Sequence, residues 1–511
     1  MYQPGFSRAR QACADKGGGI AAVAVGVALL AGCASFSPDG GFGGVQQAVT
    51  ARMAERTAQQ GSSREAVSVQ WVRSERDADS VRARVAELLA SSSTQALTAD
   101  VAVQIALLNH PGLQADYAEL GIAESELVQA SRWRGPRISF ARLVRGDELE
   151  IERGVFFDVL GLLAIPLSTK VQGERFEATK LRAAGAALRV AQEARKAWIS
   201  AVAAQQSLAY AGQVKEAADA SAELGRRMAA AGNWSKLAEA REKAFLAEAV
   251  AQQARARQGS LAATERLARA MGLASARELR LPERLPELPK LLPAAFPGAD
   301  DPAELEARAL AQRLDVQAAR RDAESLAQSL GLTKATRYVD LVELGFVRKT
   351  SAPALPQRGW ELDLRLPIFD FGGAKTARAE FLYMQAVSRT REVAVRARSE
   401  VRETHGSLRE RFELARHYRD EVLPLRKFIS EEVLLRYNGM LSSVFDLLAD
   451  ARGQAASVSA AMEAQRDYWL AESDFQMALT AQSPGGPSPG AALPTAAAAA
   501  VAAAVAAAGG H

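Results

Sequence analysis

The sequence predicts a mainly α-helical fold with a small β part, arranged as two copies of one helix–strand hairpin–long helical hairpin block. Three observations predict it. First, stretches about two hundred residues apart match: Ile165-Pro166-Leu167 with Leu366-Pro367-Ile368, Pro111-Gly112-Leu113-Gln114-Ala115 with Leu314-Asp315-Val316-Gln317-Ala318, and Ala231-Gly232-Asn233 with Asn438-Gly439-Met440. A repeat of this length is no short solenoid unit and reads as an internal duplication. Second, the Ile-Pro-Leu and Leu-Pro-Ile tripeptides each end a strand-like run and open a helical pattern some sixty residues long. Third, Glu361-Leu362-Asp363-Leu364-Arg365-Leu366 alternates polar and apolar residues without a fault, the period of a strand.

The elements follow in order. Arg8, Arg10 and Lys16 precede an apolar run of 14 residues, Gly17–Leu30, too short to span a bilayer as a helix. It ends in Leu30-Ala31-Gly32-Cys33, which resembles a bacterial lipobox and implies cleavage before Cys33 and acylation there. Residues 1–32 are therefore read as a lipoprotein signal peptide. Residues 34 and 35 are Ala and Ser rather than Asp, which implies an outer-membrane destination. The second cysteine, Cys13, lies in the leader, so the mature chain has no disulfide. Formal net charge is +4, and the leader supplies half of it, so the basic pI gives no argument for nucleic acid.

Residues 33–95 read as a lipid-anchored tether with one helix around Val81–Leu89. Thr98 reads as an N-cap, and Pro111 breaks that helix and restarts one running to about Trp133. Strands are predicted over 136–147 and 154–166. A long helix follows from Ser168 to Ala231, rich in good helix formers, and a return helix runs to Gly272. Six prolines between 281 and 302 exclude helix and central strand and mark a linker. The second block (303–482, after a first block of 96–280) predicts a helix from Pro302 to about Ala335, strands over 338–349 and 358–367, a long helix over 374–437 kinked at Pro424, and a return helix over 441–480. Residues 483–511 are Ala-, Pro- and Gly-rich and read as a disordered tail.

The alternating strand admits two readings, a half-buried soluble strand or a barrel strand with lipid on one side and water on the other. Strand count decides between them. Four strands cannot close a barrel, which needs about eight, and open edges in lipid leave backbone groups unsatisfied. The consistent solution pools strands from several chains. The many alanines of the long helices fit close helix–helix walls.

Catalytic chemistry finds no support. His405 and His417 stand twelve residues apart on one helix, not at metal-ligand spacing, and no phosphate loop follows Gly17-Gly18-Gly19 or Gly372-Gly373. No cofactor and no metal site are expected. Asp446 and Asp450 are candidate acids for a cation-selective constriction, with helix-surface charge as the plainer reading.

Leu366-Pro367-Ile368-Phe369-Asp370-Phe371-Gly372-Gly373 resembles the strand-to-helix junction of TolC-type outer-membrane efflux proteins. Arg436-Tyr437-Asn438-Gly439 with Leu447-Leu448-Ala449-Asp450-Ala451-Arg452 resembles that family's second hairpin tip. Asn109-His110-Pro111-Gly112-Leu113 and Arg313-Leu314-Asp315-Val316 resemble its helix starts, with Leu314 in place of the usual Pro. The first tip departs from the family pattern, and the acid of the second, Asp446, is displaced by about one residue. The resemblance spans roughly 96–482. It implies a homotrimer with a shared twelve-stranded transmembrane β-barrel in outer-membrane lipid and a long α-helical barrel in the periplasm. It implies a passive exit duct for small molecules or ions, partnered by a periplasmic adaptor protein and an inner-membrane pump. The adaptor would dock at Gly232, Asn233, Trp234, Asn438, Gly439, Met440 and Leu441. A second reading is a lipid-anchored adaptor or coiled-coil scaffold, for which one hairpin flanked by β-rich domains would be expected. A third, an exported hydrolase, lacks a catalytic constellation.

Overall fold

The computed structural model describes residues 35–59, 68–145, 148–277, 279–292, 301–351 and 355–485. The expected signal peptide, Cys33, residues 293–300 of the linker and the tail from 486 lie outside them.

Among its described residues, the segment read as a tether carries two helices rather than one, α1 (Phe42–Gln59) and α2 (Glu75–Thr94). Val45 and Val49, and Val81 and Val85, repeat at four-residue spacing, and all four are buried in the larger core. The segment is thus docked on the helices that follow. Ser74 starts α2 through a capping box, its hydroxyl accepting from the Asp77 N–H while the Asp77 carboxylate accepts from the Ser74 N–H. Helix α3 (Ala99–Asn109) begins at Thr98, whose hydroxyl accepts from the Val101 N–H, and α4 (Pro111–Ser131) follows at once.

Strands β1 (Arg137–Arg145) and β2 (Glu148–Asp158) form the first hairpin. The second strand ends at Asp158, not at residue 166, because Asp158 caps a helix there. Its carboxylate accepts from the Gly161 N–H at 2.7 Å, and a Cβ at Gly161 would collide with it. Helix α5 (Val159–Ala230) therefore has 72 residues, roughly 110 Å at 1.5 Å per residue, and Ile165-Pro166-Leu167 lies inside it. Its buried face is largely small (Ala183, Ala184, Ala187, Ala191 and Ala194), which lets neighbouring helices approach closely. Helix α6 (Lys236–Ala270) returns along it.

The second half repeats the plan: α7 (Pro302–Gln312), α8 (Leu314–Ala335), β3 (Leu341–Ser351), β4 (Gln357–Arg365), α9 (Gly373–His417), a π-helical turn (Tyr418–Val422), α10 (Leu423–Asn438) and α11 (Val444–Thr480). The expected single helix from Pro302 to Ala335 is broken at Arg313. The side chain of Arg313 is fully buried, bonded to Asp315 at 2.6 and 3.0 Å, to Glu400 at 2.8 Å and to the Ala478 carbonyl. Burial would lower its pKa, but the hydrogen bonds and charges of Asp315 and Glu400 outweigh burial and raise it. The freed Leu314 N–H donates to the Ala481 carbonyl at 2.8 Å.

The break at Pro424 takes the form of the π turn. Proline offers no N–H, and the Leu423 N–H reaches back five residues to the Tyr418 carbonyl. Arg419, within this turn, donates to the Leu288 and Pro289 carbonyls at 3.1 and 3.3 Å. Gln465 and Trp469 donate to the Pro286 carbonyl. The proline-rich linker, short of donors itself, is thus held by side chains that supply them.

Candidate functional site

Two regions carry the features to which function can attach: the sheet at one end of the long helices and the hairpin tips at the other.

The sheet has the order β1-β2-β3-β4, antiparallel throughout, with β1 and β4 as edges. Its register assembles rows of side chains across all four strands. Ile138, Val155, Phe346 and Trp360 form one row, and Phe157, Leu344 and Leu362, then Val342 and Leu364, continue that face toward the helices. This apolar face is uncovered: Ile138 is 76% exposed, Phe346 61% and Trp360 71%. Alternation sends Glu150, Glu152, Asp158, Glu343, Glu361 and Asp363 to the opposite face. There Arg137 crosses β2 to the Glu343 carboxylate, its guanidinium 4.3 Å from the centre of the Phe156 ring. Phe156 fits because residue 345 is glycine; a Cβ there would overlap the ring. Lys349 pairs with Glu152 at 3.2 Å. Aromatic groups collect where the apolar face meets the helices: Trp133, stacked on Phe157 at 5.4 Å, and the exposed Tyr338, Phe369 and Phe371. The strand-to-helix junction there is sharp in the second half. Phe371 and Gly372 both take positive φ, and the Asp370 carboxylate accepts from the Gly372 N–H. A Cβ on Gly372 would strike the Arg337 carbonyl, so no other residue fits.

The tips are built alike. At the first, Asn233 N–H bonds to the Met228 carbonyl and Gly232 N–H to Ala229, with Gly232 left-handed at φ 76°. At the second, Leu441 N–H bonds to Arg436 and Met440 N–H to Tyr437, with Met440 left-handed at φ 56°. These are the bonds of a helix closed by one left-handed residue. The reversal at the second tip therefore falls on Met440, one residue after Gly439. Asn438 ends α10. Met440 is 94% exposed and Leu441 82%. Trp234 is half-buried instead, stacked 4.7 Å from Phe445, so it joins the two tips rather than standing free. Arg452 on α11 adds a second tie, bonding to the buried Glu242 on α6 and lying over the Phe245 ring at 4.5 Å.

Asp446 and Asp450 lie one turn apart near the start of α11, and both are engaged locally. Asp446 completes a capping box with Ser443, and the Ser443 hydroxyl, then the Ser443 and Ser442 groups, hold its carboxyl below the usual range. Asp450 accepts from the Ser430 hydroxyl on α10. His405 packs near Phe475, and His417 contacts Glu421. Among the described residues, no cluster of metal-ligating side chains is present, and no helix is long and apolar enough to cross a membrane.

No family model and no curated protein matches the chain. Solved structures do. The outer membrane protein VceC of Vibrio cholerae is 17% identical, matching over 75% of this chain and 95% of its own at a TM-score of 0.62. The CmeC outer membrane channel of Campylobacter jejuni is 14% identical over 75% and 85%, also at 0.62. The open MtrE outer membrane channel of Neisseria gonorrhoeae is 17% identical over 74% and 88%, at 0.60. Between 85% and 95% of each of these chains is matched, and the chain has the fold of the TolC-type outer-membrane channels.

Proposed function

We propose that this chain is one subunit of a lipid-anchored, trimeric outer-membrane exit duct, through which an inner-membrane pump working with a periplasmic adaptor expels small molecules or ions. The observation that carries the reading is the two-faced sheet with open edges. An apolar face and a charged face on strands of nine to eleven residues suit lipid outside and water inside. Free edges on β1 and β4 call for strands of neighbouring copies, and three copies give twelve strands. Cys33 would anchor the mature N-terminus, and the 72-residue helix would carry the tips about 110 Å from the sheet.

Mass measurement in detergent tests the assembly, a trimer being expected and a stable monomer overturning the reading. Within it, Leu364→Arg, on the lipid face in the row nearest the helices, should lower outer-membrane yield, a lipid-facing charge costing about 2–4 kcal/mol at the midplane and less toward the interface, while Asp363→Asn on the water side should be tolerated. Equal outer-membrane yields of the two variants would refute the face assignment.

The exposed Met440 and Leu441 are the apolar contacts proposed for the adaptor, with Gly232 and Asn233 at the neighbouring tip. Replacing both Met440 and Leu441 by Asp should leave the trimer intact and abolish adaptor cross-linking together with export. Normal export by the double variant would place docking elsewhere. Asp446 and Asp450, if they ring a constriction, would do so while keeping their cap and Ser430 bonds.

A further inference from the structure

The apolar face of the sheet ends in a row of arginines. The register sets Phe140, Arg153, Arg348 and Arg358 beside one another across all four strands. This row lies two residues, about 7 Å of strand, beyond the Ile138–Trp360 row, on the side away from the helices. Arg142 stands one row further on the same face. A shallow depression of about 480 Å³ joins the two rows, lined by Ile138, Phe140, Val155 and Phe346 and by the three arginines.

The charge on this face is one-sided. None of the described acids of the strands lies on it. On the other face Arg137 and Lys349 have carboxylate partners. The side chains of Arg153, Arg348 and Arg358 are exposed and, among the described residues, have neither hydrogen bond nor ion pair. Guanidinium groups on a lipid-facing wall are costly at the midplane and tolerated at the interface, so their level marks the headgroup layer. Their forked donors match phosphate oxygens two at a time.

We propose that the Arg153–Arg348–Arg358 row binds the phosphate groups of lipid headgroups in the outer leaflet, with the acyl chains lying along the apolar rows beneath. The proposal rests on the barrel-wall reading of the sheet, which puts the hairpin ends on the side away from the periplasmic helices.

The test uses full-length protein in phosphatidylcholine bilayers doped with diphosphoryl lipid A or with the same lipid stripped of its phosphates, retained lipid being counted by native mass spectrometry. The wild type should hold the phosphorylated lipid and not the stripped one. The triple variant R153Q/R348Q/R358Q should lose roughly tenfold or more in affinity, and the corresponding triple Lys variant should keep part of it. Equal retention of the two lipids by the wild type would overturn the proposal even if the Gln variant fails to insert. Unchanged affinity in an inserted Gln variant would overturn it too. Saturation of the row by inorganic phosphate in detergent alone would refute the lipid assignment. Failure of the wild type to enter any bilayer is a separate result and would overturn the wall reading along with this proposal.

Discussion

The two halves break the same helix pair at matching places with different chemistry. In the first half the break before α4 is secured by a neutral amide. Asn109 donates from its Nδ2 to the Met271 and Gly272 carbonyls at 3.2 and 2.8 Å, closing the end of α6. In the second half the break before α8 is secured by Arg313, which closes the end of α11 but needs Asp315 and Glu400 to balance its charge. The neutral device ties its joint to the end of α6 alone, whereas the charged one also draws α9 into the joint. Duplicated segments can therefore keep a backbone path while differing in how many elements each joint ties together.

Removing the joints should show that difference at its largest. Arg313→Met leaves the part-buried Asp315 and Glu400 carboxylates without the cation buried between them and should cost about 3–5 kcal/mol. Asn109→Ala leaves only carbonyls unpaired and should cost about 1–3 kcal/mol. Denaturant unfolding followed by helix signal measures both, and equal losses would break the comparison. A smaller contrast, of opposite sign, is expected at the tips. Gly232→Ala forces a Cβ into a left-handed position and should destabilise by about 1 kcal/mol, whereas Met440→Gly should relieve a similar amount. A less stable Met440→Gly variant would show that Met440 is held in place by packing rather than strained.

The smallest effect is a pH dependence confined to one tip. The folded pKa of Asp446 lies below its ordinary 3.8, chiefly through the Ser443 hydroxyl. Its cap is then at full strength above the unfolded value and is lost as pH falls through the lower folded one. Amide exchange around residues 441–447 should rise below pH 3.8, while the Ser235 cap of the first tip, which contains no carboxylate, should not respond. Asp446→Asn should remove the difference.

Much of this was legible in the sequence, for reasons that also explain the misses. Long helices and the leucine face of β4 announce themselves by period, and Thr98 by its cap. The end of β2 was hidden because Phe156 and Phe157 carry the look of a strand onward into apolar helix residues; Asp158 with Gly161 was the available signal. The first hairpin alternates poorly because Arg142 and Arg153 interrupt its apolar face and Phe156 sits on the polar one. α1 was masked by Gly- and Gln-rich surroundings although Val45 and Val49 stand one turn apart. At the second tip, glycine pointed to the reversal with an error of one residue, since a helix can close on a left-handed methionine. The break at Arg313 had a local mark in Arg313-Leu314-Asp315-Val316, which matches the helix start at Pro111 but lacks its proline; besides Asp315, what holds it comes from Glu400, Ala478 and Ala481, far along the chain.

The π turn at Tyr418–Val422 carries a consequence for the rod in which it sits. One residue added to a helical turn rotates everything beyond it by about 100° about the axis. Before the turn, α9 buries Leu408, Phe412 and Ala415 within its own chain. After it, α10 buries nothing, and Leu425, Phe428 and Leu435, which share one side of the helix, face outward. The rod thus slips phase without ending: the stretch just before the turn packs within its own chain, and the stretch after it turns an apolar seam outward.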